Sequence, residues 1–237
     1  GIQAKNIIDE SRTEVASLIN ANPEEIVWTS GATESNNLAI VGFHQFQYQN
    51  QALRFVTSHL EHKSVIESLQ SVEALGSNVS YIQPNKDGQI DLETFASQMD
   101  PDTTFVSCMH INNETGAVND IANIGKYCRK NEIIFHVDAA QSVGKIPIDV
   151  NDMCIDLMSM SAHKVYGPKG VGALYINKDS VGRVKSLIVG GGQERGMRSG
   201  TLPTHQIAGM GIAYRISKQR MTEDLEHIKE CRDTFLE

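Results

Sequence analysis

Short runs rich in β-branched and aromatic residues recur along this chain, each separated from the next by a segment of helical period, and that alternation limits the folds open to it. The runs are 25–29, 53–57, 79–82, 104–108, 133–138, 155–160 and 172–176. Helical patterns fill 4–20, 32–48, 63–75, 91–99 and 121–131, with breaks at Gly76, Pro84-Asn85, Asp87-Gly88 and Pro101. Strand, helix, strand order predicts an α/β fold of three layers: a mostly parallel seven-stranded sheet with helices on both faces. The last run follows Gly167-Pro168-Lys169-Gly170 too closely for a crossover helix, so it is expected to pair antiparallel. Beyond Gly190-Gly191-Gly192 a polar loop leads to Pro203 and a helical stretch from 204 onward. There Leu225, Ile228, Cys231 and Phe235 recur at three- and four-residue spacing and want a surface to cover.

Charge and hydropathy narrow the function classes. With 29 acidic residues against 21 basic ones, scattered singly, the chain offers no concentrated basic face for nucleic acid. No apolar run approaches the roughly 18 residues needed to span a bilayer, and Gly1-Ile2-Gln3-Ala4-Lys5 is not a secretory leader. Cys108, Cys128, Cys154 and Cys231 form no C-x-x-C pair, which disfavours a disulfide framework or zinc knuckle. A reducing, cytoplasmic setting without membrane or nucleic-acid partners is the expectation.

In an open α/β sheet ligands bind beyond the carboxyl ends of the strands. Five of those ends carry polar or reactive side chains: Ser30-Gly31-Ala32-Thr33-Glu34, Ser58-His59-Leu60-Glu61-His62, His110 with Asn112-Asn113, Asp138 with Gln141, and Ser161-Ala162-His163-Lys164. A glycine turn opening a helix suits an anion, although, taken alone, Ser30 or Thr33 serving only as a helix cap is the commoner reading. Asp138 ends an apolar strand and wants a cationic or proton-donating partner, such as a protonated ring nitrogen, or else caps the next helix. Lys164, expected to be partly desolvated, would be a nucleophilic amine able to form a Schiff base. His59 and His62 have i, i+3 spacing but no recognisable third metal ligand, so a stacking histidine is the better reading.

A helix-terminus cup, a strand-end aspartate and a lysine beyond a later strand together suit phosphate, pyridine nitrogen and aldehyde, the three handles of pyridoxal phosphate. The segments Ser30-Gly31-Ala32-Thr33-Glu34-Ser35-Asn36-Asn37, Glu61-His62-Lys63, Asn112-Asn113-Glu114-Thr115-Gly116, His136-Val137-Asp138-Ala139-Ala140-Gln141-Ser142, Ser161-Ala162-His163-Lys164 through Gly170, and Gly191-Gly192-Gln193-Glu194-Arg195-Gly196-Met197-Arg198-Ser199-Gly200-Thr201 resemble the cysteine desulfurases of the NifS/IscS type.

That resemblance implies the large domain of a pyridoxal-phosphate-dependent transferase at 1–215, and at 216–237 a helix leading into a small C-terminal domain. It implies that Lys164 holds the cofactor aldehyde and moves the substrate Cα proton, that Asp138 keeps the pyridine nitrogen protonated, and that Gln141 and Asn113 bond the phenolic oxygen side. His62 would stack on the ring and assist proton transfer. Ala32, Thr33, Ser161 and His163 would bind phosphate, joined by Thr201 from the other subunit of a homodimer. L-Cysteine would become L-alanine, with sulfur carried as a persulfide to iron–sulfur scaffold or other sulfur-acceptor proteins, or to tRNA thiolation.

The family's persulfide cysteine lies on a loop well beyond the Thr201 motif, followed by an arginine for the substrate carboxylate. Neither matches a residue here, and Cys108, Cys128 and Cys154 read as buried structural thiols. The expectation is a large domain cut at both ends that folds but delivers no persulfide alone. The competing readings are another member of the same superfamily, such as a selenocysteine lyase or aminotransferase-like enzyme, and a non-catalytic dimerisation or scaffold fragment.

Overall fold

The computed structural model describes residues 1–48 and 52–237. Helix α1 (Ile2–Leu18) precedes β1 (Ile26–Thr29), α2 (Ala32–Gln47), β2 (Arg54–Ser58), α3 (Lys63–Ala74), β3 (Asn78–Ile82), α4 (Leu92–Ser97), β4 (Phe105–Met109), α5 (Ile121–Lys130), β5 (Ile134–Asp138), β6 (Leu157–Ser161), β7 (Gly172–Ile176) and α6 (Thr204–Leu236). All seven expected strands are present. The strands form one sheet in the order β1-β7-β6-β5-β4-β2-β3. The expected antiparallel strand is β7, which runs against both β1 and β6, while the pairs from β6 to β3 are parallel.

Each face of the sheet is covered because side chains alternate across the pleat. Val27, Phe55, Phe105, Ile134, Leu157 and Leu174 point to the face packed by α2 and α3 through Phe43, Leu38 and Leu69. Their chain neighbours Trp28, Val56, Val106, Phe135, Met158 and Tyr175 point to the opposite face, filled by Val15 of α1, Ile124 of α5 and Tyr214 of α6. Four of the five residues of β2 and every residue of β1, β4, β5, β6 and β7 are buried, as strands covered on both sides require.

The boundaries differ from expectation by one or two residues. Strands β2 and β4 each end one residue later, and β6 starts at Leu157 rather than 155 because the Asp156 carboxylate accepts the Phe135 N–H at 2.9 Å. The ladder between β5 and β6 accordingly begins at His136 with Leu157. Helix α6 crosses 215–216 without a break.

The thiols separate by environment. Cys108 and Cys128 are buried, as expected. Cys154 is only partly buried, contrary to expectation. It sits at φ 55° in the turn entering β6, where its N–H is bonded to Asn151.

Candidate active site

Strand β1 and the parallel strands share one direction, so the ends of β1, β2, β4, β5 and β6 meet at one sheet edge. A cleft of about 470 Å³ opens there, lined by Ala32, Thr33, His62, Asn113, Asp138, Gln141, Ser161, His163 and Lys164, with Ser30, Glu34, Ser64, Met109 and Lys169 beside them. Nine of the ten residues singled out from sequence therefore share one cavity. Thr201 is exposed and lies outside its lining.

The cup at α2 is built on glycine. Gly31 is the helix N-cap at φ 151° and ψ 179°, a conformation for residues without a Cβ, and no side chain caps the helix. The capping alternative for Ser30 and Thr33 is thus not realised, and the first-turn amides lack a side-chain acceptor. Gly172 opens β7 directly behind the turn. A Cβ there would stand 2.6 Å from Gly31 Cα and 2.5 Å from Met160 O, so the two glycines set how closely β7 approaches the cup. Glu34 closes the turn by accepting the Ser30 N–H at 2.8 Å and is gripped by Arg198 at 2.8 and 3.2 Å. Burial works to raise the Glu34 pKa, but the Arg198 and Ser30 hydrogen bonds outweigh it and hold it below the usual value.

Asp138 is 4% exposed at the end of β5. Its Oδ1 accepts the Ala140 N–H at 2.9 Å and its Oδ2 accepts Asn36 Nδ2 at 2.9 Å. Ala140 lies in a turn and, among the described residues, no helix stands between β5 and β6, so the helix-capping alternative is not realised. Burial raises its pKa, opposed by those two donors and by nearby His62. Asn36 also donates to Ser64 Oγ at 2.8 Å. With that lone pair engaged, the Ser64 hydroxyl directs its proton to His62 Nδ1, 2.8 Å away, and Nδ1 also accepts the Ser64 N–H. A neutral His62 ring accepting twice at Nδ1 carries its proton on Nε2. His62 caps α3, whereas His59 lies against Tyr81 with ring centroids 5.3 Å apart. Among the described residues no group of three or more His, Cys, Asp or Glu could hold a metal.

On the far wall a 3-10 turn, Ala162–Val165, follows β6. Ala162 and Val165 face inward, and His163 and Lys164 are exposed at the cleft rim. Lys164 is therefore not desolvated in this chain, contrary to expectation, because its neighbours occupy the buried sides of the turn. Ser161 Oγ lies 2.8 Å from His163 Nδ1. The His163 pKa is lowered by burial and by the positive charges of Lys164 and Lys169. Asn113 Nδ2 donates to Glu114 at 2.6 Å, and Gln141 Oε1 accepts Lys145 Nζ at 3.3 Å.

Sequence reasoning did not assign roles to Asn36, Ser64 or Glu34, although Asn36 and Glu34 lie in a motif segment and Ser64 directly follows one. Their partners stand 102, 28 and 164 residues away, beyond any local pattern. The same holds for the loop carrying Met197 to Thr201. It is anchored by a buried bidentate pair, Arg12 to Glu194, both bonds 2.7 Å, and Glu194 also accepts the Trp28 N–H at 2.8 Å.

The family model for aminotransferase class-V matches residues 1–237. The chain belongs to the class-V aminotransferase family. Among curated members it is 52% identical to the cysteine desulfurase IscS of Pseudoalteromonas translucida over all of this chain and 58% of that protein. It is 54% identical to the IscS of Tolumonas auensis over 98% of this chain and 57% of that one. The class-V chain thus spans less than three fifths of these relatives. Among solved structures, a NifS-like protein superposes with a TM-score of 0.94 at 35% identity, covering all of this chain and 64% of that one. SspA in complex with cysteine superposes at 0.84 and 42% identity, covering 90% and 61%.

Proposed function

We propose that this chain is the cofactor-binding part of a pyridoxal-phosphate-dependent cysteine desulfurase. The observation that carries the reading is that Asp138, Lys164 and an uncapped helix N-terminus line one cleft. Identity above one half to curated cysteine desulfurases supports it.

The donor set fits the cofactor. The bare α2 amides at Ala32 and Thr33, with Ser161 and His163, suit a phosphate. Asp138 offers a buried carboxylate whose lone pairs are only partly engaged, suited to a protonated pyridine nitrogen. Asn113 and Gln141 suit the phenolic oxygen, and Lys164 the aldehyde carbon. Bound there, pyridoxal phosphate would supply an electron sink for the bond changes at the substrate's Cα and Cβ.

The chain's own groups do the rest. Lys164 Nζ, free to rotate at the rim, takes and returns the Cα proton. His62, with Nδ1 tied to Ser64, presents its Nε2–H toward the substrate side. Asp138 holds the charge that keeps the ring nitrogen protonated. L-Cysteine would leave as L-alanine, its sulfur passing to a thiolate as persulfide for iron–sulfur scaffold or other acceptor proteins. None of the four cysteines lines the cleft, so that thiolate comes from outside this set. Thr201, exposed and outside its own chain's cleft, would serve the phosphate of a second copy in a homodimer.

The test is absorbance with added pyridoxal phosphate, borohydride reduction and peptide mapping. A visible band and a label fixed on Lys164, both lost in Lys164→Ala, are expected. Labelling spread over surface lysines equally in both proteins would sink the assignment.

A further inference from the structure

Directly before His62, Glu61 turns inward. It is 8% exposed, and its Oε1 accepts one hydrogen bond, the Met109 N–H at 2.7 Å. Its Oε2 is buried without a partner, and no ion pair among the described residues reaches it. Met109 is paired in register with Asp138 on β5, so two carboxyl groups lie beneath the same edge of the cleft. Their provisions differ: Asp138 receives an amide from Asn36 and a backbone N–H, while Glu61 receives one backbone N–H. The titratable groups facing Glu61 are Asp138 from β5 and the Cys108 thiol from β4.

An ionised carboxylate with one donor and no counter-charge is costly in such a place, and two close carboxylates resist sharing charge. We propose that Glu61 is held as a neutral carboxylic acid, a positioning residue that leaves Asp138 the single negative charge under the cleft. Burial and the nearness of Asp138 push the Glu61 pKa the same way, well above the ordinary value, with only the Met109 N–H opposing. The protonation stands on this chain's geometry alone. Its value to a pyridine nitrogen rests on the function proposed above, because a second anion beside Asp138 would favour protonation of Asp138 and so remove the counter-charge of the ring.

The experiment uses the chain without cofactor, with 13C at the glutamate and aspartate side-chain carboxyls, followed by NMR as pH is raised from 4 to 8. One glutamate carboxyl is expected to stay at its protonated position through neutral pH in the wild type and to be missing from the isosteric Glu61→Gln variant. If every glutamate in the wild type titrates as an ordinary carboxylate, the proposal is overturned without recourse to a variant. In Glu61→Gln the Asp138 titration is expected to keep its midpoint, neutral replacing neutral. A fall of one pH unit, a tenfold change in proton affinity, would show that Glu61 had been charged. Failure of Lys164 to capture pyridoxal phosphate would remove the proposed function and leave these outcomes untouched.

Discussion

Asn36 donates from the first turns of α2 to Asp138 at the end of β5, 2.9 Å away, and with the same nitrogen to Ser64. One amide thus supports the buried anion and, through Ser64, fixes which His62 nitrogen carries the ring proton.

Replacing Asn36 by alanine is expected to leave Asp138 with a single donor. A hydrogen bond to a charged group is worth about 1.5–3 kcal/mol, so the denaturation midpoint should fall accordingly and the Asp138 pKa should climb. Pyridoxal phosphate affinity should drop with it, and Asn36→Asp, which adds a carboxylate, should be worse than alanine. Unchanged stability and affinity in both variants would show that the bond carries no weight.

The Arg12–Glu194 pair predicts a different pattern. Both side chains are almost wholly buried, at 10% and 2% exposure, and removing one partner of such a pair costs about 3–5 kcal/mol. Arg12→Met and Glu194→Gln should each destabilise the chain on urea denaturation, whereas the double change to apolar residues should recover part of the loss. Additive losses would contradict a coupled pair.

His136 bridges the sheet, with Nδ1 2.8 Å from Ser107 Oγ and Nε2 2.9 Å from Ser159 Oγ, and burial lowers its pKa from 6.5 to about 3. Burial lowers His110 to about 4. Both rings stay neutral in the folded chain while the unfolded chain protonates them. Their contribution is complete above pH 6.5 and is lost as pH falls from there towards the folded values. Each costs at most about 1.4 kcal/mol per pH unit. His136→Gln should be less stable at neutral pH but flatter in its acid dependence; an equally steep decline would show that this ring is not the source.

Thiol reactivity should follow burial. Cys231 is exposed on α6, with Sγ 3.7 Å from His227 Nε2, and should react first with a disulfide reagent, followed by Cys154. Burial pushes the thiols of Cys108 and Cys128 well above their ordinary value, so both should stay silent until denaturant is added. Fast native-state modification of either would contradict the packing described.

The architecture was legible because strands covered on both faces read as continuous apolar runs, and because Gly167 to Gly170 leaves no room for a crossover before β7. The cleft was legible because parallel strands deliver their carboxyl ends to one edge, so Ser30, His62, Asn113, Asp138 and Ser161 could be gathered by position alone. Asn36, Glu61 and the Arg12–Glu194 pair were not, since each draws its meaning from a contact made only after folding. Lys164 shows the converse: an apolar strand before it suggested a buried amine, but the 3-10 turn rotates the side chain to the rim.

Among the described residues, strand β1 is hydrogen-bonded in the sheet only to β7, which begins at Gly172. The strand that carries the Ser30–Thr33 turn therefore has no sheet partner until the distant segment Gly172–Ile176 has been made and has docked. A chain halted before Ile176 would thus expose a glycine turn whose preceding strand has no sheet partner to hold it in place.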